Sequence, residues 1–301
     1  MSEARYQPDT GCAATAERRG DLLMASAPPA ERWLLIESHD SWAREALHSL
    51  GGAAGALGAE VARVCREAGI RPVLIRRYGR VDRTAPRRWA MVDSRPGRES
   101  VRWGSLSADE QLLDVLAGRV EGEPSSEPIY LVCTHGRHDA CCAVRGRPIA
   151  AALSAAYPER TWECSHVGGD RFAANVVLLP HSLFYGHVSQ SQAVDLAKQY
   201  DEGFVVPEYF RGSGAVTAPT QAAQHFARAA GHSTAVGALR PLAVQQSGPA
   251  RWRVTLTGSD DNPLLVEVAA HTVTIDARMT CAAQPPGHLR QYTLESPLAG
   301  P

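Results

Sequence analysis

The sequence predicts an α/β protein made of two similar halves, followed by a small β-rich C-terminal appendage. Short apolar runs alternate with segments of helical periodicity along most of the 301 residues. The same element order (strand, helix, strand, strand, strand, helix) occurs twice, over about 90 residues each time. Beyond residue 240 the chain carries three further strand-like runs. A crossover helix between the first two strands of each half makes their pairing parallel.

The first half is predicted over residues 30–118. Four apolar runs predict its strands, at 33–37, 71–75, 89–92 and 100–103. Helical spacing of apolar residues predicts a helix over 59–68, with Gly69 as its stop signal. The pattern Ser107–Glu110 is typical of a capping box and predicts a second helix starting there.

The segments around the first half are polar. Residues 1–29 are of mixed composition and are predicted to form an N-terminal arm. Residues 118–127 are predicted to be a polar linker to the second half.

The second half is predicted over residues 128–215. Its strands are expected at 129–132, 162–164, 175–179 and 183–188. Helices are expected at 148–157, with Pro148 in the first turn, and at 189–200. Strand–helix–strand followed by a hairpin and a helix is the element order of a thioredoxin-like half.

The appendage is predicted over residues 216–301. It begins with a helix at 217–230. Strands are expected at 252–256, 264–268 and 273–275.

Composition excludes several classes of function. The 31 basic and 32 acidic side chains leave a net charge of −1, which argues against a protein that coats nucleic acid. No uncharged apolar run approaches the roughly 18 residues that a membrane helix needs. The N-terminus MSEARYQPDTG lacks the apolar core of a secretory signal, so we expect a cytoplasmic protein. Seven cysteines without such a signal do not suggest a disulfide framework.

Four of the cysteines, Cys133, Cys141, Cys142 and Cys164, flank one predicted βαβ unit. Cys133 ends a strand and opens the loop that leads to Cys142, and Cys164 is followed by a loop containing His166 and Asp170. Loops that follow parallel strands leave the same edge of a sheet, so the two loops are expected to converge. Thiolates with an imidazole and a carboxylate indicate a metal site, and soft thiolates suit iron–sulfur clusters, zinc or Cu(I).

Four segments carry a family resemblance: CTHGRHDACC at 133–142, GRP at 146–148, WECSHVGGDRFA at 162–173, and LPH at 179–181 with Tyr185-Gly186. With them the chain resembles the sucrase/ferredoxin-like family, which belongs to the thioredoxin-like ferredoxins. The resemblance covers residues 129–190 and extends more weakly to Cys12, Gly20 and the run 33–35.

The resemblance implies a [2Fe–2S] cluster. Such ferredoxins hold it with two cysteines from the first loop and two ligands, separated by three residues, from the second. Carried over, the ligands are Cys133, Cys142 and His166, with Asp170 where the relatives have a second histidine.

The fourth ligand has two candidates. Asp170 is favoured, although it adds a negative charge where histidine adds none. Cys164 is the alternative, because it lies two residues before His166 and side chains two apart on a strand share a face. Two further possibilities stay open: a site held by only three protein ligands, and a chain in which the site is not retained.

Residues around the ligands are expected to support the site. Four of them are singled out: His135, Gly168, Gly169 and Arg171. We expect His135 to form hydrogen bonds within the loop and Arg171 to pair with Asp170. The two glycines are expected to let the backbone come close to the cluster. Cys12, Cys65 and Cys281 are predicted to be core thiols, and Cys141 to pack beside Cys142.

The resemblance implies an electron carrier rather than an enzyme, acting with a redox partner protein. Nothing in the sequence supports a sucrase activity, since no carboxylate pair stands out. A zinc-binding protein and a metal-free interaction protein are the alternatives. The basic stretch 76–80 with Arg87 and Arg88 is predicted to be a solvated face, or else a docking patch for an acidic partner. The first half is predicted to bind no cluster, because its equivalent loop, residues 37–40, has no cysteine.

Overall fold

The computed structural model describes residues 8–52, 55–79, 82–258 and 262–298, and the chain forms a mixed α/β structure. One mixed sheet has ten strands, and a separate antiparallel sheet has four. The predicted α/β class and the β-rich appendage are therefore confirmed.

Helix α1 (Cys12–Arg19) lies inside the predicted N-terminal arm, whose first seven residues lie outside the described part of the chain. The first half then follows with two helices and four strands: β1 (Arg32–Glu37), α2 (Ala56–Glu67), β2 (Arg71–Arg76), β3 (Arg87–Asp93), β4 (Ser100–Leu106) and α3 (Gln111–Leu116). β1 pairs with β2 in parallel and with β3 antiparallel, and β3 pairs with β4 antiparallel. The spatial order is thus β2-β1-β3-β4.

The second half repeats this arrangement. The elements from the linker onward are β5 (Glu123–Ser125), β6 (Ile129–Cys133), α4 (Ala140–Ala156), β7 (Thr161–Cys164), β8 (Val176–Leu179), β9 (Leu183–Tyr185), α5 (Ala193–Asp201) and β10 (Phe210–Ser213). β6 pairs in parallel with β7 and antiparallel with β8, which gives the order β7-β6-β8-β9. β2 and β7 join the two halves antiparallel, with Ile75 opposite Cys164 and Arg76 opposite Glu163.

Strand β6 supports the candidate site and is buried along its whole length. Leu131 and Cys133 belong to the core on one face of the sheet, while Tyr130 and Val132 belong to the core on the other. A strand covered on both faces reads as a continuous apolar run, which explains why the sequence predicts it well.

Helix starts differ from the prediction by one to eight residues, and the structure shows the cause for α4 and α3. α4 begins at Ala140, eight residues before Pro148, because Asp139 caps the helix: its Oδ1 accepts a hydrogen bond of 2.8 Å from the Cys141 N–H. Pro148 therefore lies in the middle of the helix. α3 begins at Gln111 rather than at Ser107, and the Ser107 N–H and hydroxyl instead donate to the Gln111 side chain.

The appendage contains one helix and four strands: α6 (Ala218–Ala229), β11 (Pro241–Gly248), β12 (Arg251–Thr257), β13 (Pro263–Ile275) and β14 (Gly287–Leu294). β13 unites two runs that the sequence predicts as separate strands. α6 packs against this sheet through a shared apolar core. No helix in the described ranges is long and apolar enough to cross a membrane.

Candidate metal centre

Two loops at one edge of the large sheet bring three predicted ligands together. Cys133 is the last residue of β6, Cys142 lies in the first turn of α4, and His166 lies in the loop after β7. One potential ligand atom from each of these residues lies within 4.8 Å of the others. The predicted convergence of the two loops is thus present, because β6 and β7 run parallel and end side by side.

Asp170 also lies at this centre, at the start of a short 3-10 turn, and is only 4% exposed. Its Oδ1 lies 3.2 Å from the Cys142 Sγ and 3.0 Å from the His166 Nδ1. Its Oδ2 lies 3.9 Å from His138 Nε2. The carboxylate therefore contacts two of the three other predicted ligands.

Cys164 occupies a different position. It lies directly opposite Cys133 in the β6–β7 pair and belongs to the hydrophobic core together with Val73 and Ile75. Among the described residues, Cys164 belongs to none of the groups whose ligand atoms lie close enough together to share a metal ion. Burial and the charge of Cys133 raise the pKa of its thiol well above the ordinary value.

The site is strongly polarised. The hydrogen bond with Cys142 and the contact with His166 hold the pKa of Cys133 well below its ordinary range, against the effect of burial. Burial lowers the pKa of His166, but its contacts with Asp170 and Cys133 outweigh burial and raise it to about 9. Burial raises the pKa of Asp170, and the contact with His166 reverses this and leaves it lowered. All three shifts favour the charged forms in the metal-free site: the thiolate of Cys133, the carboxylate of Asp170 and the imidazolium of His166.

His135 fixes the second loop. Its Nε2 donates a 2.8 Å hydrogen bond to the carbonyl of Ala43, and its Nδ1 accepts one of 3.3 Å from the backbone N–H of His166. His138 stacks on His166 with ring centroids 3.7 Å apart. His135 thus holds the backbone of His166, and the stacked His138 limits the rotation of the His166 ring.

A buried arginine, which sequence reasoning missed, anchors the same loop. Arg211 on β10 donates to the Gly168 carbonyl at 2.9 Å, to the Asn175 side chain at 2.7 Å and to the Ser26 carbonyl at 2.7 Å. Burial is the main cause that lowers its pKa, to about 9. Gly169 has φ +83°, and a Cβ there would lie 2.4 Å from Arg211 Nη2, so this position needs glycine.

Arg171 does not pair with Asp170. Its Nε lies 3.2 Å from Asp21 Oδ2, which ties the loop to the segment after α1. Gly168 also has a positive φ, of +92°, as expected for a tight loop.

The histidine side of the centre faces an open cleft, whereas its cysteines are buried. The His138 and His166 side chains are 28% and 22% exposed. They border a cleft of about 240 Å³ whose other wall, residues 44–48 and the start of α2, comes from the first half. Within the described residues, the imidazoles of the centre thus face this cleft, while the sulfurs of Cys133 and Cys142 lie in the core.

Comparison with protein families gives a match over most of the part of the chain that holds the centre. The sucrase/ferredoxin-like family matches residues 23–212, more than half of the chain, and this segment contains Cys133, Cys142, His166 and Asp170. The comparisons with curated proteins and with solved structures returned no match. The chain belongs to the sucrase/ferredoxin-like family.

Proposed function

We propose that this protein transfers electrons through one [2Fe–2S] cluster held by Cys133, Cys142, His166 and Asp170. The observation that carries the proposal is the convergence of two cysteines and a histidine within 4.8 Å at the ends of two parallel strands. Asp170 supports it as fourth ligand by its contacts of 3.2 Å and 3.0 Å with Cys142 and His166.

The donor atoms suit such a cluster. Iron–sulfur clusters are bound by cysteine thiolates, and in some centres histidines replace two of the cysteines. The Nδ1 of His166 is buried and lies 3.0 Å from Asp170 Oδ1, and the same oxygen lies 3.2 Å from the Cys142 Sγ. A cation among these three atoms would replace the protons that Cys142 and His166 otherwise hold.

The protein's own residues set the properties of the site. When bound, a [2Fe–2S] cluster takes up and releases one electron. The buried thiols of Cys133 and Cys142 exclude water from one side, while His135 and Arg211 hold the loop that carries His166 and Asp170. Because the carboxylate of Asp170 adds negative charge, we expect a lower reduction potential than with a histidine at that position.

We further propose that each half is thioredoxin-like. The order β7-β6-β8-β9 with its parallel first pair supports this for residues 128–215, and β2-β1-β3-β4 repeats it for residues 30–118. The first half then supplies the far wall of the cleft instead of ligands.

We infer that a redox partner protein approaches at the histidine side of the centre. The predicted basic patch is a less favourable place. The Arg76 guanidinium stacks over Trp42 and pairs with Glu163, and that of Arg77 stacks over Trp162, while Arg80 lies outside the described residues.

Spectroscopy of anaerobically purified protein tests the proposal. We expect a brown protein with about two irons and two sulfides per chain, which dithionite reduces to a paramagnetic state. Cys133→Ser and Cys142→Ser should lose the chromophore, and Cys65→Ser, a buried thiol on α2, should keep it. Loss in Asp170→Ala but not in Cys164→Ala supports Asp170 as ligand, and the opposite result assigns Cys164.

Zinc binding is the second candidate function. Three donor atoms within 4.8 Å with a carboxylate beside them also suit a single tetrahedral ion. A colourless protein with one zinc at Cys133 and Cys142 would favour this candidate. Unchanged behaviour of the Cys133 and Cys142 variants without any metal would favour a metal-free interaction protein.

A further inference from the structure

Three cysteines from distant parts of the chain meet near the start of α4, beside the centre described above. Cys12 lies on α1, Cys141 on α4, and Cys281 in the connection between β13 and β14. Their sulfurs lie 3.7 Å (Cys12 to Cys141), 3.4 Å (Cys141 to Cys281) and 3.6 Å (Cys281 to Cys12) apart. These separations exceed the roughly 2.05 Å of a disulfide bond, so no disulfide joins these three cysteines.

A buried carboxylate completes the group. The two oxygens of Asp139 lie 3.8 Å and 3.7 Å from the Cys12 sulfur. They accept hydrogen bonds from the N–H groups of Cys141 and Cys281, at 2.8 Å and 2.6 Å. Asp139 is only 3% exposed, and one atom from each of the four residues lies within 4.8 Å of the others.

We propose that Cys12, Cys141, Cys281 and Asp139 form a second metal site that binds Zn²⁺. Zinc prefers four ligands in tetrahedral geometry, and Zn–S bonds of about 2.3 Å place neighbouring sulfurs about 3.8 Å apart. The observed separations of 3.4–3.7 Å are close to this value. Soft thiolates also favour zinc over the hard cations that prefer oxygen.

Core packing accounts for only part of this group. The sequence predicts Cys12 and Cys281 to be core thiols and Cys141 to pack beside Cys142, and the three do pack together with two alanines. The same three thiols also lie around a buried acid, Asp139, which apolar packing does not explain. The hydrogen bonds of Cys12 with Cys141 and Cys281, its burial and the charge of Asp139 all raise the pKa of Cys12. A divalent cation removes this conflict, because it allows the thiols to ionise beside the carboxylate.

The second site does not depend on the proposed function. Cys12 and Cys281 lie outside the segment that matches the family, residues 23–212. The two sites are neighbours, since Asp139 also lies within 4.8 Å of ligand atoms of Cys142 and Asp170. The helix α4 contributes Cys141 to one site and Cys142 to the other.

Zinc at this position would tie both ends of the chain to the large sheet. Cys12 and Cys281 are 269 residues apart in sequence and are joined here through the start of α4. Removal of the metal should therefore loosen α1 and the β13–β14 connection, and proteolysis should cut there first.

Metal analysis of the full chain, purified without chelators, tests the site. We expect about one zinc per chain in addition to any iron. Cys12→Ser and Cys281→Ser should each lose most of this zinc and keep the absorption of the first site. The matched control Cys65→Ser removes a buried thiol of α2 and should keep both.

A second measurement keeps the test valid if a variant folds poorly. Co²⁺ is added to the Cys133→Ser/Cys142→Ser double variant, in which only the second group retains all its thiols. We expect the near-ultraviolet absorption of cobalt–thiolate bonds, and no such band when Cys281→Ser is added to the same variant.

Several outcomes would overturn the second site. One is a zinc content that Cys281→Ser leaves unchanged, and another is wild-type protein without zinc whose double variant gives no cobalt–thiolate band. Sulfide-linked iron that is lost with Cys281→Ser, or a Cys12–Cys281 disulfide in place of metal, would also overturn it. Absence of iron from the wild type would instead contradict the proposed function and leave the zinc site standing.

Discussion

The substitution Gly146→Ala tests how the end of β6 and helix α4 position the two cysteine ligands. Gly146 lies on α4, one turn after Cys142, and packs against the backbone of Cys133. A Cβ at Gly146 would lie 2.1 Å from the carbonyl oxygen of Cys133. Ordinary contacts begin at 3.4 Å, so the helix and the strand would have to separate by roughly 1 Å.

Two opposing effects set the expected magnitude. Alanine in a helix interior is more favourable than glycine by about 1 kcal/mol. Overpacking against backbone, which cannot rotate away, costs about 1–3 kcal/mol or more. Because the 2.1 Å contact lies far inside the ordinary distance, we take the upper end of this cost and expect a net loss near 2 kcal/mol. At about 2.1 cal/mol/K of unfolding entropy per residue, this loss lowers the melting temperature by about 3 °C in a chain of 301 residues. Because Cys133 and Cys142 move apart, the iron content should fall as well.

Thermal unfolding and iron analysis of the same preparations measure both effects. Gly58→Ala on α2 is the matched control, since its Cβ would lie 1.9 Å from the Leu47 carbonyl oxygen, in the far wall of the cleft and on an element that carries no predicted ligand. It should lower the melting temperature and keep the iron. A Gly146→Ala protein as stable and as iron-rich as the wild type would refute the reasoning.

Three further substitutions test the surrounding structure. Arg211→Met leaves the side-chain oxygen of the buried Asn175 and two backbone carbonyls without a hydrogen-bond donor. We therefore expect the free energy of unfolding, measured by chemical denaturation, to fall by about 3–5 kcal/mol. A fall of less than about 1 kcal/mol would contradict this role of Arg211. Glu163→Gln weakens the 2.8 Å ion pair with Arg76 that joins the two halves. Because Arg76 is partly exposed, we expect the free energy of unfolding to fall by only about 1–2 kcal/mol. A double-mutant cycle with Arg76→Gln and the double variant measures the contribution of the pair. Pro148→Ala restores a backbone donor at an exposed position inside α4 and should raise stability by about 1–3 kcal/mol, whereas a lower melting temperature would count against a regular helix there.

Much of the large sheet could be predicted from the sequence because its central strands are buried on both faces. β1 and β6 read as continuous apolar runs, and the helices that follow them carry helical spacing. The edge strands β5 and β10 could not be predicted in this way. They contain Glu-Pro-Ser and Phe-Arg-Gly-Ser, and they pair with neighbours far along the chain or across a bulge.

The sequence predicts the part of the candidate site that depends on the order of neighbouring strands and helices. Strands β6 and β7 are joined by a crossover helix, so the loops with Cys133 and His166 had to leave the same edge. The start of α4 was misplaced because the His- and Asp-rich stretch before Cys141 resembles a loop, although Asp139 is a typical N-cap residue.

The contributions from distant segments were beyond local reasoning. Arg211 reaches the loop after β7 from β10, and Cys12 and Cys281 approach α4 from the two ends of the chain. No spacing rule connects residues so far apart, because only the folded topology places them together. The strand order alone predicts Asp170 in the converging loop, but its role as the fourth ligand follows from the resemblance.

The most direct test of the central claim is the iron and sulfide content of anaerobically purified protein, measured together with electron paramagnetic resonance after dithionite reduction. The account predicts about two irons and two sulfides per chain and a signal of one unpaired electron, all lost in Cys133→Ser and Cys142→Ser. A colourless protein that contains zinc or no metal, with no signal after reduction, would contradict it.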